Sequence, residues 1–463
     1  MLITTSRFFK SLGVLAVVSL CASSPVSAIS ISLLDITGTG ARNFSDPTIW
    51  NSSTVPGPSD FPTMDSGDGI NDYVYIDAAT DVQRINVGHV SSGGLEIRSG
   101  ATLTTSATGG SQSNIGPSGT GHLRILSGAT LNQGGLLYLG LNSTGVGMVT
   151  LDNGTHTLGG ALSVARGAGT GIYNMLGGTL TVGDFFQVAN TGNGTFTQSG
   201  GILEANRNAA AQGMFLAGAP GSVGTYEISG GSLTVANTNT GVINGTTDPA
   251  GGAFGTFRIV GSAPTVTIRS SYDQRQDSSL EMVIEASGVS PMNVGGDAIL
   301  DGLLGVSFTT TPSFGQQFTI MNYGGNLSGN FSAFDSLVDG PSGTDSILLG
   351  IDYGTGANSS IFVTVLEQLG DFNMMDGVNE SDFFILSDNL GAHLDQVIAY
   401  SDGDINNDGK IDLVDFDVFK NLYPVVVESA LAQMAVPEPS TWALATLAGI
   451  AGSFAARRRR SRR

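Results

Sequence analysis

Cysteine is almost absent from this chain: Cys21 is the only one in 463 residues, and it falls within an N-terminal leader. The remainder can therefore form neither a disulfide nor a thiolate metal site. Lysine is nearly as scarce, with none between Ser11 and Gly409, and charged residues make up only 13% of the chain. The one dense basic run is 457–463, which leaves no basic patch for phosphate elsewhere and excludes a nucleic-acid binder. Apolar runs longer than a strand are confined to the two ends. What is abundant is glycine, 67 residues without an every-third-residue period, alongside 40% hydrophobic residues. That combination excludes both collagen and a wholly disordered chain, and the length suggests about three domains.

The two ends have the character of addresses. Arg7 and Lys10 precede an apolar run from Leu12 to Cys21, and Val26-Ser27-Ala28 places small residues where a signal peptidase cuts. This is the pattern of a secretory signal peptide over 1–28, cleaved after Ala28; a lipoprotein cysteine at Cys21 is disfavoured by the bulky Leu20 before it. At the other end Pro437-Glu438-Pro439 is followed by an apolar stretch from Trp442 to Ala456 and then by arginines. As a helix those apolar residues reach about 22 Å, short of a bilayer core of about 30 Å. A thin permanent anchor with its arginines in the cytoplasm is one reading. The ordered trio also resembles the PEP-CTERM sorting signal of Gram-negative bacteria. That resemblance implies an exosortase as processing partner, a C-terminal inner-membrane intermediate, and delivery to the cell surface or an extracellular polysaccharide matrix. Between the two ends 39 acids face 11 bases, so the formal charge of −20 hides a net of −28 in the body.

One phrase recurs through the middle: glycine, any residue, apolar, any residue, usually apolar. It begins at Gly93, Gly121, Gly147, Gly171, Gly194, Gly224 and Gly255, at intervals of 28, 26, 24, 23, 30 and 31 residues. Turn signals such as Ser127-Gly128 and Gly177-Gly178 follow, and then a second short strand such as Thr179-Leu180-Thr181-Val182. A unit of two or three short strands cannot bury its apolar face alone and must stack on copies of itself. A meander or sandwich shares the alternation, but one phrase per 23 to 31 residues matches one coil of three strands. The expectation is a parallel β-helix with Leu95, Leu123, Val149, Tyr173, Phe196, Tyr226 and Phe257 in one interior ladder, about 4.8 Å apart. The repeats resemble autotransporter-like β-helical repeats, as does the segment from Gly315 to Phe331 that follows them.

Near the C-terminus, Asp404, Asn406, Asp408, the Lys410 carbonyl, Asp412 and Asp415 fall at positions 1, 3, 5, 7, 9 and 12 of a loop with Gly409 at the sharp turn. This is the oxygen-donor spacing that Ca²⁺ demands, although Asp415 replaces the usual glutamate; a solvated acidic turn is the bland alternative. An upstream copy offers Asp371, Asn373, Asn379 and Asp382, but Met375 stands at its fifth position. Each loop leads into a short helical pattern. The pair resembles a type I dockerin, which implies a calcium-dependent fold and a cohesin-like protein partner. Residues 370–423 carry 12 acids and two lysines, so gathering them without cations is repulsive.

The resulting scheme is a mainly β chain: 1–28 signal peptide, 29–92 N-terminal cap, 93–270 right-handed parallel β-helix, 271–366 β-rich cap, 367–424 dockerin-like EF-hand pair, 425–463 linker and sorting signal with a transmembrane segment. Three function classes fit it: a non-catalytic surface or matrix scaffold, a β-helical polysaccharide hydrolase or lyase, and a glycan-binding adhesin. The outward row of the phrase pairs Glu96 with Arg124 and Glu227 with Arg258, which favours surface ion pairs over a catalytic pair of acids. The four histidines show no metal-ligand spacing and are read as structural or surface residues. The scaffold is the favoured class.

Overall fold

The computed structural model describes residues 30–434, apart from 35–39, 66–72, 108–109, 206–212, 240, 247–251, 342–345, 355, 367, 374–376, 392–399 and 407. Ala28, the Pro437-Glu438-Pro439 motif and the apolar stretch after it lie outside the described residues. Among those described, no helix is long and apolar enough to cross a membrane.

The chain winds into a β-solenoid. Three sheets of 12, 12 and 13 strands run its length, and along most of it each sheet takes every third strand in chain order. The repeated phrase supplies one of these sheets. Gly93–Ile97 pairs in parallel with Thr120–Ile125, that strand with Val146–Leu151, and so on with the phrase glycines facing one another. Period-2 alternation then sends the predicted residues inward: Leu95, Leu123, Val149, Tyr173, Phe196, Tyr226 and Phe257 are all fully buried, in consecutive register. Ring centroids of Tyr173 and Phe196 lie 4.8 Å apart, and those of Phe196 and Tyr226 5.3 Å apart. Each such side chain contributes about 1.5–3 kcal/mol of burial, which is how the fold dispenses with disulfides.

The opening glycine of the phrase has a steric cause. A Cβ at Gly121 would lie 2.2 Å from the Val87 carbonyl oxygen, and one at Gly224 only 1.4 Å from that of Leu216. The backbone of the preceding strand occupies that space at the corner of the coil. These glycines therefore sit in strands, whereas the turn glycines, such as Gly178 at φ 83, adopt the left-handed conformation.

Parallel pairing extends beyond the phrase on both sides. It begins with Ser30–Ser32 against Phe61–Met64 and continues through Leu303–Phe308 to Ala333–Phe334. Only then does the chain reverse. Leu337–Asp339, Ser346–Asp352 and Ser359–Leu366 pair antiparallel and close the third sheet against Gln317–Tyr323. The closing portion is thus shorter than the end of the phrase suggested.

A helical module follows, with α1 (Glu380–Asn389), α2 (Leu413–Leu422) and α3 (Pro424–Met434). Phe372, Phe383, Leu386, Tyr400 and Phe419 form its core, and Val427 and Ala430 bring α3 onto it. Leu348 and Leu366 of the antiparallel strands join the same cluster. Tyr400 packs so closely on Gly350 that a Cβ there would lie 2.9 Å from its ring. The module is therefore docked on the end of the solenoid.

Candidate metal centre

Both acidic loops precede a helix whose first turn they cap. Asn379 caps α1 and Asp412 caps α2, each in a reciprocal box completed by Asp382 and Asp415 respectively. These two closing aspartates are fully buried and do the same work in each copy. Asp415 Oδ1 accepts from the amides of Ile405 (3.1 Å) and Asn406 (3.4 Å), and Oδ2 accepts from Asp412 (2.9 Å). Asp382 Oδ1 accepts from Phe372 (2.8 Å) and Asn373 (3.1 Å), and Oδ2 from Asn379 (2.9 Å). The duplication seen in the sequence thus recurs, bond for bond, in the fold.

Asp404, only 2% exposed, accepts from the amides of Asp408 (3.1 Å) and Gly409 (2.7 Å), folding the loop around its carboxylate. Asn406 Oδ1 accepts from Asp408 and Asp408 Oδ1 from Lys410, both at the exposed tip. In the first copy Asp371 is buried, while Met375 and its neighbours lie outside the described residues. Burial pushes Asp404 up to about 7, and the nearby Asp415 and Asp408 charges add to it. Burial also raises Asp382 and Asp415 against the pull of their amide donors.

The donor set suits a hard cation, since it is all oxygen and includes the buried carboxylates of Asp404 and Asp415. Among the described residues, however, no three or more His, Cys, Asp or Glu side chains are gathered as a metal cluster. The loop holds its carboxylates with backbone amides, and the fit is one of chemistry and spacing. Sequence reasoning missed the aromatic frame behind the loops. The Tyr400 hydroxyl accepts from the Gly370 amide at 2.6 Å, and the Tyr423 hydroxyl donates to the Leu369 carbonyl at 2.5 Å. It also missed α3, whose Ser429 donates to Glu380 of α1.

On the solenoid the outward row pairs as its spacing implied. Glu96 binds Arg98 (2.9 Å) and Arg124 (3.2 Å), and Arg258 lies between Glu227 (3.4 Å) and Glu281 (3.2 Å). His156 is fully buried: Nε2 donates to the Gln133 side-chain oxygen at 3.0 Å and Nδ1 accepts from the Tyr173 hydroxyl at 2.9 Å. His122 lies half-buried between Tyr73 and Thr150, His89 is exposed, and His393 lies outside the described residues.

A family model for the PEP-CTERM protein-sorting motif matches residues 435–460. No curated protein and no solved structure matches the chain. The motif marks an exported protein, sorted by an exosortase-type system and held at the cell envelope through its C-terminus.

Proposed function

We propose that this exported protein is a non-catalytic scaffold of the cell surface or extracellular matrix. Its right-handed, autotransporter-like solenoid is the rod, and its C-terminal module is a dockerin-like coupler organised by Ca²⁺. Asp404, Asn406, Asp408, the Lys410 carbonyl, Asp412 and Asp415 hold one ion; Asp371, Asn373, Asn379 and Asp382 belong to a weaker second loop. The observation that carries this reading is the repeated arrangement of Asp382 and Asp415, two buried carboxylates closing two loops of equal length. Such burial is costly without a cation to offset it.

With one face of the module held against the antiparallel strands, the start of α2 remains open. Leu413 is 68% and Val414 55% exposed there, and we assign this corner to the cohesin-like partner. A polysaccharide hydrolase needs two acids across a groove, whereas Glu96, Glu227 and Glu281 are each engaged by an arginine. Calorimetry of the full chain tests the reading: calcium uptake, with a rise in the melting midpoint that chelator reverses, is expected. No uptake at millimolar calcium would sink it.

A further inference from the structure

The third sheet has an outward row that can be followed by strand register from Thr104 through Thr157, Thr181, Thr234 and Thr267 to Asn293 and Asn322. Asp81, which pairs with Thr104, and Glu204 are its charged positions among the described residues, in a chain of net charge −20. At its C-terminal end the row drops into a groove of about 710 Å³. Thr267, Asn293, Asn322 and Ser360 form the floor. Gly295 and Gly324 leave bare backbone on one wall, because a Cβ on either would lie 2.7 or 2.6 Å from the carbonyl of the previous coil. Arg269 and Asn358 stand at the rim, and no carboxylate lines the groove.

The floor is organised in advance. Ser360 donates to Asn322 Oδ1 (2.7 Å), Asn322 to Asn293 Oδ1 (2.9 Å), and Asn293 to the Val266 carbonyl (3.2 Å). This relay fixes two amides edge-on to the cleft on rigid strands, which lowers the ordering cost of a ligand. Thr267 and Arg269 make no side-chain hydrogen bond or ion pair among the described residues, so both keep donors for a guest. The one aromatic ring, Tyr323, is buried, with its hydroxyl donating to the Tyr353 carbonyl at 3.1 Å.

We propose that this groove and the row leading into it bind a linear, neutral polysaccharide lying along the solenoid axis. Amide and hydroxyl groups recur once per coil, about 4.8 Å, close to the length of one sugar ring in an extended chain. Each ring therefore meets an equivalent polar group. A polyanion would find a single arginine on an acidic molecule, and a peptide would meet a floor of hydroxyls and amides at Thr267, Asn293, Asn322 and Ser360. The groove lies apart from the helical module, so this binding is independent of calcium.

The test is calorimetry of the full chain against neutral oligosaccharides, uronate oligosaccharides and an extended peptide library, with and without chelator. Neutral oligosaccharides should bind, insensitive to salt and to chelator. Asn322→Leu, Arg269→Ala and Thr267→Ala should each weaken binding, about tenfold for Asn322→Leu. Because Asn322→Leu also breaks the relay, the other two variants, with unchanged melting midpoints, keep the test decisive. The proposal is overturned if no neutral oligosaccharide binds, if only uronates bind and salt abolishes it, if peptides bind instead, or if all three variants bind like the parent.

Discussion

His156 makes the solenoid interior sensitive to acid in a way that can be isolated. Its imidazole is fully buried among Gln133, Tyr173 and apolar neighbours, and burial lowers its pKa from 6.5 to about 3. In the unfolded chain it titrates near the ordinary value, about 6.5. Between those values the unfolded state holds a proton that the folded state refuses. The contribution is thus complete above about pH 6.5 and is lost as pH falls, by at most about 1.4 kcal/mol per unit. Replacing the ring, as in His156→Leu, leaves the Tyr173 hydroxyl and the Gln133 oxygen buried without their partner, at a cost of about 2–5 kcal/mol at neutral pH. That variant has no proton to refuse, so its deficit against the parent should narrow by about 2–3 kcal/mol at pH ~4.5. A melting midpoint reports the whole stack of coils and the helical module together, so the effect at His156 needs a local gauge. Hydrogen exchange over residues 130–175, parent against variant at each pH, cancels intrinsic exchange rates and the shared titration of His122. A deficit that is the same at both pH values would refute the reasoning.

Other outcomes follow from the same structure. Gly224→Ala should cost about 3 kcal/mol or more, because the Leu216 carbonyl must move. Gly100→Ala, with open space but φ 81, should cost only about 1–2 kcal/mol; local hydrogen exchange compares the two. Asp415→Ala strands three backbone amides and should cost about 3 kcal/mol even in chelator. Asp408→Ala, at the exposed tip, should cost about 0.5 kcal/mol in chelator yet abolish most calcium affinity. Equal behaviour of these two variants in calorimetry and thermal melts would remove the distinction between Asp415, which also holds the fold of the loop, and Asp408, which serves the ion alone.

The interior ladder was legible in the sequence because alternation and a coil-length repeat state the same thing twice. Where one signal is missing, legibility ends. Ser30–Ser32 and Arg42–Asn43 carry no phrase, and strands of two or three residues have no readable period. Gln198 occupies an apolar register yet is fully buried, because its amide donates to the carbonyls of Gly201 (3.3 Å) and Ser232 (3.0 Å) and its oxygen accepts from Tyr226 (2.5 Å). Gly201 is three residues on, but Ser232 and Tyr226 belong to the next coil, 34 and 28 residues away. The asparagine relay likewise needs the register between coils 29 residues apart. In the acidic loops the spacing of oxygen-bearing side chains was explicit, while the docking of Tyr400 on Gly350 depends on tertiary contact alone. α3 was hidden by Val425-Val426-Val427, a β-branched run that tertiary packing overrides.

The reversal of the last three β-strands governs how the molecule bears load. A protein held at the envelope by its C-terminus takes tension first through α3 and then through Ser359–Leu366, which is hydrogen-bonded along both edges. A pull along the rod runs perpendicular to the strands, so hydrogen bonds break in succession, as in a zipper, rather than together in shear. Each coil released yields about 80 Å of slack chain for the roughly 25 residues it holds. Pulled in this way, the solenoid would unwind from its C-terminal end, the remaining coils staying in place while the first ones give way.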